Sequence, residues 1–256
     1  MGDDFGQTGH GVRFEWGPEG ARELAGRAAC LVVVDVLSFT TSVTVAADAG
    51  TRVIPYRWRD DSAVGFAERA GAALAVGRRA VSASTPWTLS PAALRRAPFT
   101  PRLVLPSPNG SAIAAACAEA GHAETAVVAA SLRNAGAVGR WLGRQGYGSV
   151  ARPVAVIAAG ERRADGSLRP ALEDLLGAGA VIGALASYGG VAPSPEAAAT
   201  AAAFAGTSDV AAAVQDSASG RELTSGGFAE DVAIAVEREA SRVVPVLTEG
   251  AFTDVA

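Results

Sequence analysis

The strongest constraint on this chain is a series of short apolar runs, each followed by a stretch with helical character. The runs are Ala29 to Leu37, Arg52 to Trp58, Ala73 to Gly77, Arg102 to Ser107, Thr125 to Ser131 and Pro153 to Gly160. Several, such as VVVDVL and VAVIAAG, are continuously apolar, the pattern of strands buried on both faces. Helix-start residues lie between them: Thr40 and Thr41, Asp60 and Asp61, Asn109 to Ser111, and Asn134. Each such helix is expected to close near a glycine, at Gly50, Gly71, Gly121 or Gly146. This alternation predicts an α/β fold, a mostly parallel sheet covered by helices.

The segment Ser82 to Pro101 carries four prolines and reads as an excursion over the surface. From Pro170 the chain turns helical. One helix starts near Pro170, Ala-rich segments follow at Glu196 to Phe204 and Ser208 to Gln215, and another helix runs from Ser219. A strand at Val243 to Leu247 closes the chain. With 256 residues and 49% apolar content, one domain over 1–256 has material for a large core.

A formal charge of −4 argues against a nucleic-acid surface. No apolar run approaches the roughly 18 to 20 residues needed to span a bilayer. The amino terminus has acids where a signal peptide would have basic residues. Cys30 and Cys117 read as buried thiols of a reducing compartment, so the expected location is the cytoplasm. Every basic residue except histidine is arginine. Any phosphate bound here would therefore be held by arginine, backbone N–H groups or a metal.

Several phosphate-cleaving chemistries are excluded. A cysteine phosphate loop needs Arg six positions on, where Cys30 is followed by Val36 and Cys117 by Ala123. His10 and His122 sit in no motif. An aspartyl-phosphate motif would need a second Asp where Leu37 stands. A Walker loop is impossible without lysine, no G-x-S-x-G elbow exists, and zinc spacing is absent. A hard metal on oxygen ligands stays open.

Ligands of open α/β sheets lie beyond the carboxyl ends of strands. Those ends offer Asp35, Ser38, Thr40 and Thr41; Ser107, Asn109, Gly110 and Ser111; Ser131, Arg133 and Asn134; and Gly160, Glu161, Arg162 and Arg163. Asp35 interrupts an apolar strand, where it either coordinates Mg²⁺, positions a water or bonds backbone amides. Asn109-Gly110-Ser111 presents free N–H groups to an anion, or simply caps a helix. Glu173 and Asp174 open a helix where acids suit the dipole. The stripe Leu172, Leu175, Leu176, Gly179 and Gly183 predicts Asp174 outward and Glu173 on the flank, which makes Glu173 the ligand candidate. Arg221 either clamps a phosphate or sulfonate, or pairs at the surface with Glu222 or Asp231.

Five segments in order resemble the 2-phosphosulfolactate phosphatase (ComB-like) family. They are VVVDVLSFTTSV, LPSPNGSAI, AASLRNAGAVGRWL, AAGERRADGSL to EDLLGAGAVI, and SGRELTSGGFAEDV with a late VVPVL, from about residue 30 to 247. The resemblance implies a three-layer α/β/α fold and Mg²⁺-dependent hydrolysis of (2R)-2-phospho-3-sulfolactate on the route to coenzyme M. Mg²⁺ would be held by Asp35 with help from Glu161 or Glu173, which supply the catalytic carboxylates. Arg133, Arg162 or Arg221 would neutralise phosphoryl oxygens. Asn109, Gly110 and Asn134 would orient the ester, with Ser38, Thr40 and Ser131 also on the substrate. Water attacks in line, without a phosphoenzyme.

Two departures stand out. The family has Arg-Ala where this chain has Ser38 and Phe39, and its Gly-Phe-Asp-Leu-Gly-Asn-Ser-Pro element corresponds only to Thr85 to Pro91. Ser38 and Trp87 suggest a different substrate tail. Two alternatives follow: a phosphatase for another 2-phosphorylated hydroxy acid, or a non-catalytic homologue that binds a small anion. The expected partner is a small phosphorylated organic acid, with no nucleic acid and no membrane; a homo-oligomer is compatible with the sequence.

Overall fold

The computed structural model describes residues 4–57, 61–119 and 125–256, with side chains described for residues 5–57, 61–115 and 125–256. The first part of the chain forms β1 (Val12–Trp16), α1 (Gly17–Ala25), β2 (Cys30–Val34), α2 (Phe39–Asp48), β3 (Arg52–Tyr56), α3 (Ser62–Ala70) and β4 (Ala73–Leu74). The middle forms α4 (Pro91–Arg96), β5 (Arg102–Pro106), α5 (Gly110–Glu119), β6 (Ala126–Ala130), α6 (Ala135–Arg144) and β7 (Val154–Ala158). A short hairpin, β8 (Glu161–Arg162) and β9 (Leu168–Arg169), precedes α7 (Leu172–Ala186). The rest forms α8 (Pro195–Gly206), α9 (Val210–Gln215), α10 (Ala218–Ser225), α11 (Ala229–Ala235), β10 (Pro245–Thr248) and β11 (Ala251–Asp254).

Nine strands make one sheet in the order β1-β7-β2-β6-β10-β11-β3-β5-β4. Neighbours within β1-β7-β2-β6 and within β3-β5-β4 are parallel. The antiparallel hairpin β10–β11 joins the two blocks. The fold is the expected three-layer α/β/α arrangement with a mostly parallel sheet.

The apolar runs are continuous because each strand feeds two cores. On β2, Cys30, Val32 and Val34 pack on one face with residues of α6 and α7, whereas Leu31 and Val33 pack on the other with α1, α2 and α5. β7 divides in the same way, Val154, Val156 and Ala158 against Ala155 and Ile157. A side-chain period of two makes both sets obligatory. Gly50, Gly71 and Gly146 close their helices at positive φ, as expected. Asp60, Gly121 and His122 lie outside the described residues, as does the Cys117 side chain; Cys30 is fully buried.

The amino-terminal strand β1 and helix α1 carry no apolar run and were not expected. VRFEW alternates only over five residues, because β1 is the edge strand of the sheet, with β7 on one side and only a bridge to Pro193 on the other. The stretch from Ser82 to Pro101 is not purely a surface excursion. Pro91 opens α4, Ser90 caps it by accepting from Ala93 N at 3.2 Å, and Leu89 and Ala92 are buried. Proline suits a first helical turn, so here it starts a helix.

Asn134 was expected on the substrate; it is instead a structural clamp. Its Oδ1 accepts from Ser131 N at 2.9 Å, and its Nδ2 donates to Ala129 O at 3.3 Å and Val243 O at 3.1 Å. The fully buried amide thereby ties the end of β6 to the approach of β10. Truncation strands an N–H and two carbonyls, so Asn134→Ala should lower stability by about 2–3 kcal/mol. A fall in the urea midpoint is the expected result; an unchanged midpoint would remove the clamp.

Candidate active site

The loop after β2 is built by its hydroxyls. Thr40 Oγ1 donates to Asp35 O at 2.8 Å and accepts from Asp35 N at 3.0 Å, and Thr41 Oγ1 donates to Val36 O at 2.8 Å. Short polar side chains close a turn in this way, satisfying backbone groups that no strand or helix reaches. The Asp35 side chain is thereby aimed at two amides. Oδ1 accepts from Phe39 N at 3.1 Å, and Oδ2 accepts from Gly110 N at 2.8 Å. The second bond joins the β2 loop to the β5 loop. Only glycine fits at 110, since a Cβ there would lie 2.3 Å from Phe39 Cδ1 and 2.8 Å from Asp35 Oδ2.

A second carboxylate makes the matching link to β7. Asp174 Oδ1 accepts from Val36 N at 2.7 Å and Oδ2 from Gly160 N at 2.8 Å. Asp174 is buried, which corrects the expectation that it points outward. The expected stripe fails at the first turn of α7, where Leu172 is exposed and Glu173 and Asp174 are buried instead, and the helix packs between α6 and α8. Asn109 closes the triangle, its Nδ2 donating to Glu161 Oε2 at 3.0 Å. The loops after β2, β5 and β7 are thus cross-bonded in pairs.

Between them lies a cleft of about 260 Å³ lined by Asp35, Ser38, Ser107, Asn109, Glu161, Ser219, Glu222 and Arg78. Asp35, Glu161, Glu173 and Asp174 are close enough to act on one another. Burial and then the Asp35 charge raise Glu161 from its ordinary value of 4.5 to about 7, with Glu173 adding to the rise and Asn109 and Arg169 opposing it. Burial, then Asp35 and Glu173, also push Asp174 well above the ordinary carboxyl range, against the pull of the Val36 and Gly160 amides. Glu173 is 2% exposed, and its Oε2 has no hydrogen-bond partner.

An orphaned, buried carboxylate oxygen among other acids fits a hard cation on oxygen ligands. Among the described residues no three acids, histidines or cysteines form a ready-made cage. Mg²⁺ does not require one, because it keeps several waters and takes one or two carboxylates plus substrate oxygens. The unsatisfied Glu173 oxygen, with the Asp35 charge nearby, is compatible with such an ion.

The expected site residues divide cleanly. Asp35, Ser38, Asn109 and Glu161 line the cleft, and Glu173 is buried outside its lining but close enough to act on Glu161. Gly110 is present, but its N–H is committed to Asp35 and forms no open anion nest. The Thr40 hydroxyl serves the Asp35 backbone, and Ser131 is fully buried within its own loop. Arg133 is also structural, buried and paired with Asp48 and Glu237. Arg162 is exposed and lines an adjoining cavity of about 370 Å³. Arg221 opens onto a separate cavity with Gln215 and Asp216, because α10 turns Ser219 and Glu222 towards the cleft instead. Trp87 donates its Nε1 to Pro98 O and does not line the cleft.

Arg78, Ser219 and Asp231 are the residues that strand-end reasoning missed. Arg78 was within reach of the rule, since it directly follows the Ala73 to Gly77 run. Its Nε donates to Asp231 Oδ2 at 3.1 Å and its Nη2 to Ser38 Oγ at 2.7 Å. Asp231 also accepts from Ser90 Oγ and Ala92 N. No local pattern marks Asp231, which is buried only because α4 covers it.

Raised carboxyl values have a definite sign. In the folded protein Glu161 holds a proton that the unfolded chain releases between about pH 4.5 and 7. Its contribution to stability is complete below that range and is lost as pH rises through 7. Urea midpoints should fall between pH 5.5 and 8, and Glu161→Gln should shrink the difference. An identical pH dependence in wild type and variant would contradict the assignment.

The sequence model of the 2-phosphosulpholactate phosphatase family matches residues 18–250. None of the curated proteins matches the chain.

Proposed function

We propose that this chain, which belongs to the 2-phosphosulpholactate phosphatase family, hydrolyses (2R)-2-phospho-3-sulfolactate to (2R)-3-sulfolactate and phosphate in a Mg²⁺-dependent reaction. The observation that carries the reading is a carboxyl of raised proton affinity, Glu161, hydrogen-bonded by Asn109 in a cleft that also presents Asp35 and serine hydroxyls. The family supplies the phosphomonoesterase chemistry; the named substrate, the metal and the cytoplasmic setting are part of the proposal. No helix among the described residues is long and apolar enough to cross a membrane.

The roles follow from the contacts. Glu161 donates its proton to the bridging ester oxygen as the P–O bond breaks, so the alcohol leaves neutral. Asp35 takes a proton from the attacking water, and its two amide partners hold the carboxylate in place for that step. Asn109 orients Glu161 through its Nδ2. Mg²⁺, held by Glu173 and Asp35, would supply charge neutralisation for the phosphoryl oxygens. Water adds to phosphorus in line, and the products are sulfolactate and inorganic phosphate.

The test is phosphate release from synthetic phosphosulfolactate, with Mg²⁺ and with EDTA. Release that EDTA stops supports the reading; no release with Mg²⁺ present refutes the named substrate. Phospholactate and phosphoglycolate, assayed alongside, discriminate the alternative hydroxy acids. Glu161→Gln should lower kcat by roughly 10²- to 10⁴-fold and abolish the descending limb of kcat with rising pH. Asp35→Asn should abolish turnover. A Glu161→Gln enzyme that keeps the wild-type pH profile would reassign the proton donor.

A further inference from the structure

We propose that Arg78 is the specificity-determining residue of the cleft, receiving the second acid group that the substrate carries beside its phosphate, and that buried Asp231 is its positioning residue. The assignment of a second acid group rests on the phosphatase reading above; the anion site itself rests on geometry.

Three cavities lie side by side. One of about 350 Å³, lined by Leu74, Val76, Gly77 and Pro106, shares Arg78 and Leu89 with the cleft. The cavity on the other side, which includes Trp16 and Leu168, shares Asn109 and Glu161. Arg78 therefore borders one flanking cavity and Glu161 the other. The acids crowd the Glu161 side, where Asp35 and Glu173 act on it and Arg169 is the opposing cation. Proton transfer and phosphoryl binding belong on that side, which leaves Arg78 facing whatever the ester carries beyond its phosphate.

The guanidinium is held for such a task. Asp231, 1% exposed, takes Nε; Ser38 takes one Nη2 hydrogen; and the Phe228 ring lies 5.2 Å from the guanidinium carbon. Asp231 is itself fixed by Ser90 Oγ and Ala92 N. Two of the five guanidinium N–H groups are thus engaged, and the remainder suit a carboxylate or sulfonate. Arg78 is the one cation among the described residues lining the cleft, against Asp35, Glu161 and Glu222. A ligand with two acid groups needs a matching positive charge away from the phosphoryl side, and Arg78 is placed to give it.

The experiment compares a phosphorylated hydroxy acid with p-nitrophenyl phosphate, which has no second acid group, on wild type, Arg78→Gln, Asp231→Asn and the double variant. Arg78→Gln should raise KM for the hydroxy acid ester about 10- to 100-fold with kcat within about threefold, and leave p-nitrophenyl phosphate turnover within about threefold. Asp231→Asn should act in the same direction by about three- to tenfold, and add nothing in the Arg78→Gln background. Equal losses on both esters, or an unchanged KM, would overturn the assignment of Arg78. An Asp231→Asn effect that persists undiminished in the double variant would make Asp231 merely structural. If wild type cleaves neither ester, the phosphatase reading fails separately, and calorimetry with sulfolactate and inorganic phosphate decides the anion site. Sulfolactate affinity should then drop about tenfold or more in Arg78→Gln while phosphate affinity holds; no difference, or no sulfolactate binding by wild type, overturns the proposal.

Discussion

Two buried aspartates, each accepting backbone N–H groups from two places in the chain, hold this site in shape. Asp35 spans from the start of α2 to the start of α5, and Asp174 spans from the β2 loop to the β7 loop. Loop backbone is polar and cannot be buried without partners. The carboxylates provide them, which lets three loops converge where water would otherwise be needed. The glycines follow from the same constraint. Gly110 must approach Asp35 and Phe39 closely, and at Gly160, where φ is +65°, a Cβ would lie 2.8 Å from Leu168.

Clustering acids to satisfy a backbone has an electrostatic consequence. Asp35 and Glu173 each raise the proton affinity of Glu161 and Asp174. One product is a carboxyl that keeps its proton near neutral pH at the mouth of the cleft, suited to protonating a leaving oxygen. Another is Glu173, with an oxygen that the protein itself leaves unsatisfied. Structural necessity at Asp35 and Asp174 thus sets the chemistry available to their neighbours. The one cation among the described residues lining the cleft is supplied from the loop after β4 and is held in part by the Ser38 hydroxyl.

Much of the fold was legible because β2, β5, β6 and β7 are buried on both faces, so that burial writes a continuous apolar signal. β1 was silent for the opposite reason: an edge strand of five residues needs little apolar sequence. Asp35 was legible as a charge inside an apolar run. Asp174 was misread because α7 departs from its apolar stripe at the first turn, where Leu172 is exposed and Asp174 is buried on backbone amides. Asn134 and Arg133 looked like ligand residues since a strand-end position does not reveal whether a polar group faces a cleft or the backbone. Arg78 fell to the same rule applied incompletely, whereas Asp231 depends on α4 folding over it, and no local pattern records that contact.

The central claim is that the cleft bounded by the β2, β5 and β7 loops is where phosphate is handled. The most direct measurement is a crystal structure of the full chain with Mn²⁺ and inorganic phosphate, the metal located by its anomalous signal. The account predicts Mn²⁺ at about 2.0–2.2 Å from Glu173 Oε2, with phosphate between Glu161 and Asp35. Metal and phosphate found instead beside Arg221, or nowhere near Glu161, would contradict it.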